Sequence, residues 1–407
     1  MYRHRLNCLF IAVIAAFACV SINAQEVEDT IRIKTRVVFL DALVKDKKTN
    51  LPISNLTQEN FEVFDDGKPR PISYFTREGQ ARKPLALILI MDVREDGAGR
   101  FLKQTEIVKT MENELAKLPP GDEVAILAVN IGEDEDRVWL SEFTNERTKI
   151  GSALARLQQI CEKPDAPLPE TTAQKPAEKS ENGGDPKEVV ATETFKGRNG
   201  AVVTRTTMRD GTVSVKRVSK NGEVTVDIGD IYDMSAAVRD ATQKAQALRP
   251  NSQLSLVWVS DGIAPMFFEE RDATEQILIR DNVIFNSLTV ELRTLFKFLL
   301  PIGKPIAGWV GLSLYGSAKH LAQRSGGEAV KVGRVKDYGA GLSRIIGNLT
   351  ARYSLGFTLA ENETDDGRMH GLEVRVKAKD EKGKTRKLQV SSRQGYYMAY
   401  PPITQKQ

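Results

Sequence analysis

The spacing of apolar positions changes character along this chain, and the changes mark out its parts. Near the start, Ile31, Ile33, Thr35, Val37 and Phe39 alternate with Arg32, Lys34 and Arg36, the two-residue period of a half-buried strand reaching Val44. Phe61–Phe64 and Ile72–Phe75 flank Asp65-Asp66-Gly67, a pattern that predicts a hairpin between them. The far end reads alike. Tyr353–Leu359 is a strand, Leu372, Val374 and Val376 alternate with Glu373, Arg375 and Lys377 in another, and Lys387–Ser391 supplies one more. Two or three strands bury too little surface to stand alone. Segments 30–80 and 351–400 are therefore expected to pair into one β-sandwich, with residues 84–350 inserted between them as a separate domain.

The centre has a different pattern. Leu85–Met91 is an unbroken apolar run, the mark of a strand covered on both faces. A helix is predicted from Arg100 to Leu118, ended by Pro119-Pro120-Gly121, then strands at Glu123–Val129 and Arg137–Phe143 and a helix at Glu146–Ile160. Later come a helix at Ile231–Leu248, a second buried strand at Gln253–Val259, a helix at Ala273–Arg280 and a strand at Asn282–Val290. Leu312–Arg324 and Ala340–Leu349 read as helices. Strands alternating with helices predict an α/β, doubly wound parallel sheet. The pattern stops over the insertion 162–227. Its part 163–187 is rich in Pro, Ala, Glu, Lys and Gly and reads as a linker, whereas 188–227 reads as a four-stranded β-meander turning at Asn199-Gly200, Asp210-Gly211 and Asn221-Gly222.

Composition narrows the function classes. The 407 residues carry 58 Lys+Arg against 54 Asp+Glu, a net charge of +4 that gives no reason to expect nucleic acid as a partner. Arg3, His4 and Arg5 precede the apolar run Cys8–Val20 and the small residue Ala24, so residues 1–24 are expected to be a signal peptide and the protein to be secreted, periplasmic or extracellular. The run falls short of the roughly 20 residues that span a bilayer. Leu295–Leu314 is interrupted by Lys297, Pro301, Lys304 and Pro305, so no transmembrane span is expected after the leader is cut. After that cut Cys161 stands alone and only His320 and His370 remain, which argues against disulfides, a zinc centre or a histidine-based triad.

The candidate chemistry sits where the two buried strands end. One runs into Asp92-Val93-Arg94-Glu95-Asp96 and the other into Ser260-Asp261-Gly262. Ligands of doubly wound sheets bind at the carboxyl ends of strands, and two carboxylates capping such strands suit a divalent cation. Here the sequence resembles the von Willebrand factor A family, and within it the secreted bacterial "VWFA-related" proteins typified in acidobacteria. The resemblance rests on Phe61-Glu-Val-Phe-Asp-Asp-Gly-Lys-Pro69, the strand ending at Asp92, Val259-Ser-Asp-Gly262 and Arg393-Gln-Gly-Tyr-Tyr397, and it spans most of the chain after the leader. It implies a Rossmann-like domain with a metal-ion-dependent adhesion site built from Asp-x-Ser-x-Ser, a Thr on a second loop and an Asp on a third. Asp92 and Asp261 match that pattern, but Arg94 and Asp96 stand at the two serines, and Gly229-Asp230-Ile231-Tyr232-Asp233 lacks the Thr.

A guanidinium offers a metal no lone pair. Arg94 is therefore expected to pair with Asp92 and Asp261 and fill the cation's place, leaving Asp92, Asp96 and Asp261 as a degenerate metal site and Arg94 and Asp230 as ligand-binding residues. No cofactor is expected; Mg2+ or another divalent cation at those three carboxylates is the alternative, with Arg94 turned outward. The expected role is non-enzymatic binding or adhesion to a protein partner at the bacterial envelope. Two rivals are a structural component of an envelope assembly and a secreted hydrolase using the acidic cluster. In segment 196–220, seven basic residues face Asp210 alone, so the meander is a candidate grip for an anionic envelope polymer, with Glu133–Asp136 as an intramolecular counterpart. Asn362-x-Thr364-x-Asp366-Gly367 with Glu373 imitates a calcium loop, but it lacks Asp at two ligand positions and is read as a β-turn.

Overall fold

The computed structural model describes residues 36–77, 83–94, 97–131, 137–163, 187–197, 200–210, 212–229, 234–262, 264, 266–290, 311–313, 316–379 and 383–398. The leader, Asp96, Asp230, Glu133–Asp136, residues 164–186 and most of Leu295–Leu314 lie outside them. Along the chain run β1 (Arg36–Asp46), β2 (Phe61–Asp65), β3 (Lys68–Arg70) and β4 (Tyr74–Thr76), followed by β5 (Leu85–Asp92), α1 (Gly99–Leu102), α2 (Thr105–Ala116), β6 (Glu123–Val129), β7 (Arg137–Thr144) and α3 (Arg147–Glu162). The meander is β8 (Val189–Lys196), β9 (Val202–Met208), β10 (Val213–Ser219) and β11 (Gly222–Gly229). Next come α4 (Met234–Leu248), β12 (Gln253–Ser260), β13 (Met266–Phe267), α5 (Phe268–Arg280), β14 (Ile284–Val290), β15 (Leu312–Ser313), α6 (Ser317–Ser325), β16 (Ala329–Val332) and α7 (Tyr338–Thr350). The chain closes with β17 (Tyr353–Leu359), β18 (His370–Val376), β19 (Leu388–Ser392) and β20 (Gly395–Tyr396).

The central sheet has six strands in the order β16-β14-β12-β5-β6-β7. Every residue of β5 and β12 is buried because both faces carry helices. Leu85, Leu87, Leu89 and Met91 pack with Met111 and Leu115 of α2, Leu154 and Leu157 of α3 and Leu342 and Ile345 of α7. Ala86, Ile88 and Ile90 pack with Ala237, Val238 and Ala241 of α4, Leu278 of α5 and Leu321 of α6. The sheet is mixed rather than purely parallel, since β7 runs antiparallel to β6. The helix predicted over Arg100–Leu118 is two helices broken at Lys103-Gln104, where Gln104 is extended and Gln158 of α3 donates to the Lys103 carbonyl at 3.3 Å. Among the described residues, no helix is long and apolar enough to cross a membrane.

Strands from the two ends of the chain interleave in two further sheets, β19-β1-β17-β4 and β20-β18-β2-β3. One core joins them: Val38, Leu40, Ala42 and Val44 of β1, Phe61 and Val63 of β2, Tyr353, Leu355 and Phe357 of β17, and Leu372 and Val374 of β18. This corrects the face expected for β1. Val37 and Phe39 lie on the opposite, half-buried face, because that side of the strand is also covered. Gly356 is needed there: a Cβ on it would come within 2.9 Å of Val37 and 3.1 Å of Tyr74. The hairpin partner of β2 is Lys68–Arg70, not Ile72–Phe75; Asp66 (φ 48°) and Gly67 (φ 79°) make the doubly left-handed turn, and β4 instead pairs with β17.

Candidate functional site

The chain lays down β5, β6 and β7 outward in one direction, then returns to place β12, β14 and β16 on the other side of β5. In doubly wound sheets a reversal of strand order, here between β5 and β12, sets a ligand crevice beyond the carboxyl ends of the strands. Met91 pairs with Val259 across these parallel strands, so Asp92 and Asp261 emerge side by side. Asp92 is 0% exposed and Asp261 8%.

Arg94 reaches back over Asp92. Its Nε donates to Oδ1 at 2.9 Å and its Nη2 to Oδ2 at 2.7 Å, a two-pronged, charge-assisted contact. The same Nη2 stands 3.9 Å from Asp261 Oδ1. Asn130, just past β6 with φ 61°, donates from Nδ2 to Asp92 Oδ1 at 3.0 Å. Three side-chain N–H groups, with the Arg94 backbone N–H at 3.5 Å from Oδ1, therefore face one fully buried carboxylate, which loses its water only because they replace it. Behind them lies the Tyr338 phenol at the start of α7. Burial, and after it the negative charges of Asp92 and Asp261, push its ionisation upward, so it stays a neutral hydroxyl.

The loop after Asp92 closes tightly. Gly97 and Gly99 both donate their backbone N–H to the Arg94 carbonyl at 3.0 Å. A Cβ on Gly99 would fall 2.1 Å from the Val93 carbonyl oxygen, a collision with backbone that no side-chain movement relieves. Gly99→Ala is therefore expected to cost at least the ~1–3 kcal/mol of an overpacked position. Chemical denaturation of the variant measures that loss, and an unchanged midpoint would contradict this loop geometry.

The meander flanks the crevice. Helices preceding parallel strands start at the carboxyl edge of the sheet, and the first turn of α5 holds Glu269 and Glu270 there. Arg217 of β10 grips Glu269 with Nε at 3.1 Å and Nη2 at 2.9 Å, and Arg205 of β9 comes within 3.7 Å of Glu270. Arg239 of α4 bonds Glu193 of β8 at 2.9 Å. Phe267 packs on Val203, Val213 and Val215. Much of the basic character seen in the sequence thus meets acids within the molecule: Arg205 and Arg217 are buried, Lys216 pairs with Glu223 and Arg209 with Glu188. The turn at Asn221-Gly222 has a positive φ at Gly222 (114°) but not at Asn221, so it is not the doubly left-handed type expected.

Of the residues singled out in the sequence, Asp92, Arg94 and Asp261 come together, while Asp96 and Asp230 fall outside the described residues. Asn130, Tyr338, Glu269 and Glu270 went unnoticed in the sequence. An Asn directly after a buried strand, aligned with the strand bearing Asp92, is the signal that would have found Asn130. Among the described residues, two acidic groups elsewhere have geometry able to hold a metal ion: Asp65, Asp66 and His370, and Asp272, Glu275 and His320.

No protein-family model matches the chain. No curated protein matches it in sequence. Among solved structures it is distantly similar to the SpRpn10 VWA domain (11% identity, TM-score 0.31, covering 65% of this chain and 94% of that one). It is also similar to a von Willebrand factor type A protein from Catenulispora acidiphila (7%, 0.36, covering 82% and 72%). A third likeness is to the pilus adhesin SpaC from Lactobacillus rhamnosus GG (7%, 0.33, covering 86% and 48%), of which this chain spans about half. Likeness at this level carries neither function nor partner to this chain.

Proposed function

We propose that this is a secreted, non-enzymatic von Willebrand A-like binding protein of the bacterial envelope or exterior. In this reading the α/β domain is inserted into a β-sandwich, and it engages a protein partner through the crevice above Asp92, Arg94 and Asp261. The observation that carries the reading is the Asp92–Arg94 contact beside Asp261 at the point where strand order reverses. A divalent cation at an adhesion-type site needs carboxylate and hydroxyl oxygens with open lone pairs. Asp92 already faces three side-chain N–H donors, and Arg94 supplies none of the oxygen that a serine would. In this reading the donors around Asp92 leave no seat for Mg2+, and the crevice works without a metal. The Arg94 side chain, 22% exposed above Asp92, would meet an acidic or carbonyl group of the partner.

Calorimetric titration of the wild type with Mg2+ should give no saturable heat. Arg94→Ser, which restores a hydroxyl and frees Asp92, should raise affinity for the ion at least tenfold. Heat in the wild type that disappears in Asp92→Ala would overturn the metal-free reading. For recognition, the immobilised chain should retain its envelope partner equally in EDTA and Mg2+, and Arg94→Gln, which keeps a donor for Asp92, should weaken retention tenfold or more. Retention unchanged by Arg94→Gln would remove the crevice from the interface.

A further inference from the structure

The geometry points to a site for a divalent transition metal in the sheet built from the chain ends, with Asp65, Asp66 and His370 as ligands. Asp65 closes β2, Asp66 is the first turn residue of the hairpin, and His370 opens β18, whose pairing with β2 brings the three together. One ligand atom from each lies within 4.8 Å of the other two. His370 Nδ1 is 3.1 Å from Asp66 Oδ2 and 4.0 Å from Asp65 Oδ1. Ligand atoms about 2.0–2.2 Å from a tetrahedral Zn2+ stand about 3.3–3.6 Å apart, so His370 and Asp66 are already near that spacing, and Asp65 has to close in from 4.0 Å.

Three features set this group apart from an ordinary acidic turn. First, Asp65 is 4% exposed, and its Oδ1 has no hydrogen-bond partner, although Oδ2 accepts from Arg70 Nε at 3.0 Å, Arg70 Nη2 at 2.7 Å and the Tyr396 hydroxyl at 3.2 Å. A buried carboxylate oxygen left bare beside an imidazole is costly unless something cationic meets it. Second, His370 is itself buried and its far nitrogen, Nε2, lies 3.2 Å from Asp366 Oδ1. Nδ1 shares a proton with Asp66 Oδ2 at 3.1 Å; once a metal displaces that proton, the Asp366 carboxylate holds the remaining N–H on Nε2 and strengthens Nδ1 as a ligand. Third, with His370 neutral the charges do not balance: Asp65, Asp66, Asp366 and Glu363 face Arg70 and Arg368, an excess of two negative charges.

Arg368 Nη2, 2.8 Å from Asp66 Oδ2, would have to yield, and its side chain is 56% exposed and free to swing into solvent. Asp66 Oδ1 would keep its bond from the Gly371 N–H at 2.8 Å. One imidazole with two carboxylates suits Zn2+ or its neighbours over Mg2+ or Ca2+, which prefer all-oxygen sets. The calcium-like loop just upstream does not compete: Asp365 and Asp366 accept from backbone N–H groups two residues on, and Glu373 pairs with Arg375. At Asp272/Glu275/His320, both Glu275 oxygens are already engaged, by Arg324 and His320 at 2.7 Å each.

The test is titration of the chelator-treated chain with Zn2+, and with Co2+ for its visible spectrum. One equivalent should bind, the 15N resonances of His370 should move while those of His320 stay, and excess Zn2+ should raise the unfolding midpoint. Asp66→Asn, which keeps the Gly371 contact at a partly exposed position, should weaken Zn2+ at least tenfold; His370→Gln should abolish binding and His320→Gln leave it intact. No saturable binding, binding that survives both Asp66→Asn and His370→Gln, loss on His320→Gln, or displacement of Zn2+ by millimolar Ca2+ would each overturn the assignment.

Discussion

Glu269→Ala should loosen the β-meander from α5 while the six-stranded sheet stays folded. Both partners of the Arg217–Glu269 contact are buried, with side chains 6% and 4% exposed. Removing the acid strands a guanidinium that cannot lose its proton, and breaking such a pair costs about 3–5 kcal/mol. The loss should be local. The apolar contact beneath the meander is Phe267 with Val203, Val213 and Val215, far smaller than the cores on the two faces of the central sheet. Nor can Arg217 simply move aside, because Gly311, with φ 83°, packs so close that a Cβ there would lie 2.6 Å from the guanidinium carbon. Hydrogen exchange should rise through β9–β11 and a protease should cut there first, whereas Arg217→Met with Glu269→Leu should largely restore protection. Global unfolding with no selective exposure of the meander would show that it is not a separately docked unit.

Lys45→Ala should produce the other large loss, where β1 meets the edge of the six-stranded sheet. Lys45 is 1% exposed and donates to Glu328, which also accepts from Asn348 and Arg344. Asn348 and Arg344 remain after the substitution, so about 3 kcal/mol, the low end for a broken buried pair, is expected. Burial opposes ionisation of Glu328, yet the Lys45 ammonium, with Arg344 and Asn348, holds its carboxyl below the usual carboxylate range. A folded value below the unfolded one means the stabilisation is complete above about pH 4.3, where a free glutamate ionises, and fades as pH falls through the lower folded value. Denaturant midpoints of the wild type should therefore drop more steeply with acidification than those of Glu328→Gln. Parallel pH profiles would mean the seam is held by packing alone.

Much of the fold follows from local pattern. Glu123–Val129 and Tyr353–Leu359 are strands over their whole expected lengths, and the buried strand at Leu85 differs from expectation only by including Asp92. Such runs are legible because burial on one face or two leaves a period in the sequence that no distant contact has to supply. The same reasoning fails where the partner decides. Ala329–Val332 is too short to announce itself and is a strand because β14 lies beside it. Val37 and Phe39 looked like the inward face of β1, but a strand covered on both sides has no single inward face.

The candidate sites divide the same way. Acids closing two interior strands could be read from Asp92 and Asp261 alone, and so could the substitution of arginine and aspartate for the two serines of the resembled motif. Asn130 on Asp92, the engagement of meander arginines by Glu269 and Glu270, and the bare oxygen of Asp65 beside His370 depend on contacts between distant parts of the chain. Lys45 and Glu328 are 283 residues apart, beyond the reach of any periodicity. What the sequence determined by itself was the set of elements and the charges at their ends. Which of those charges meet, and which are left without a partner, was decided by tertiary structure, because an ionic contact is set by the three-dimensional position of both groups and local propensity constrains only one at a time.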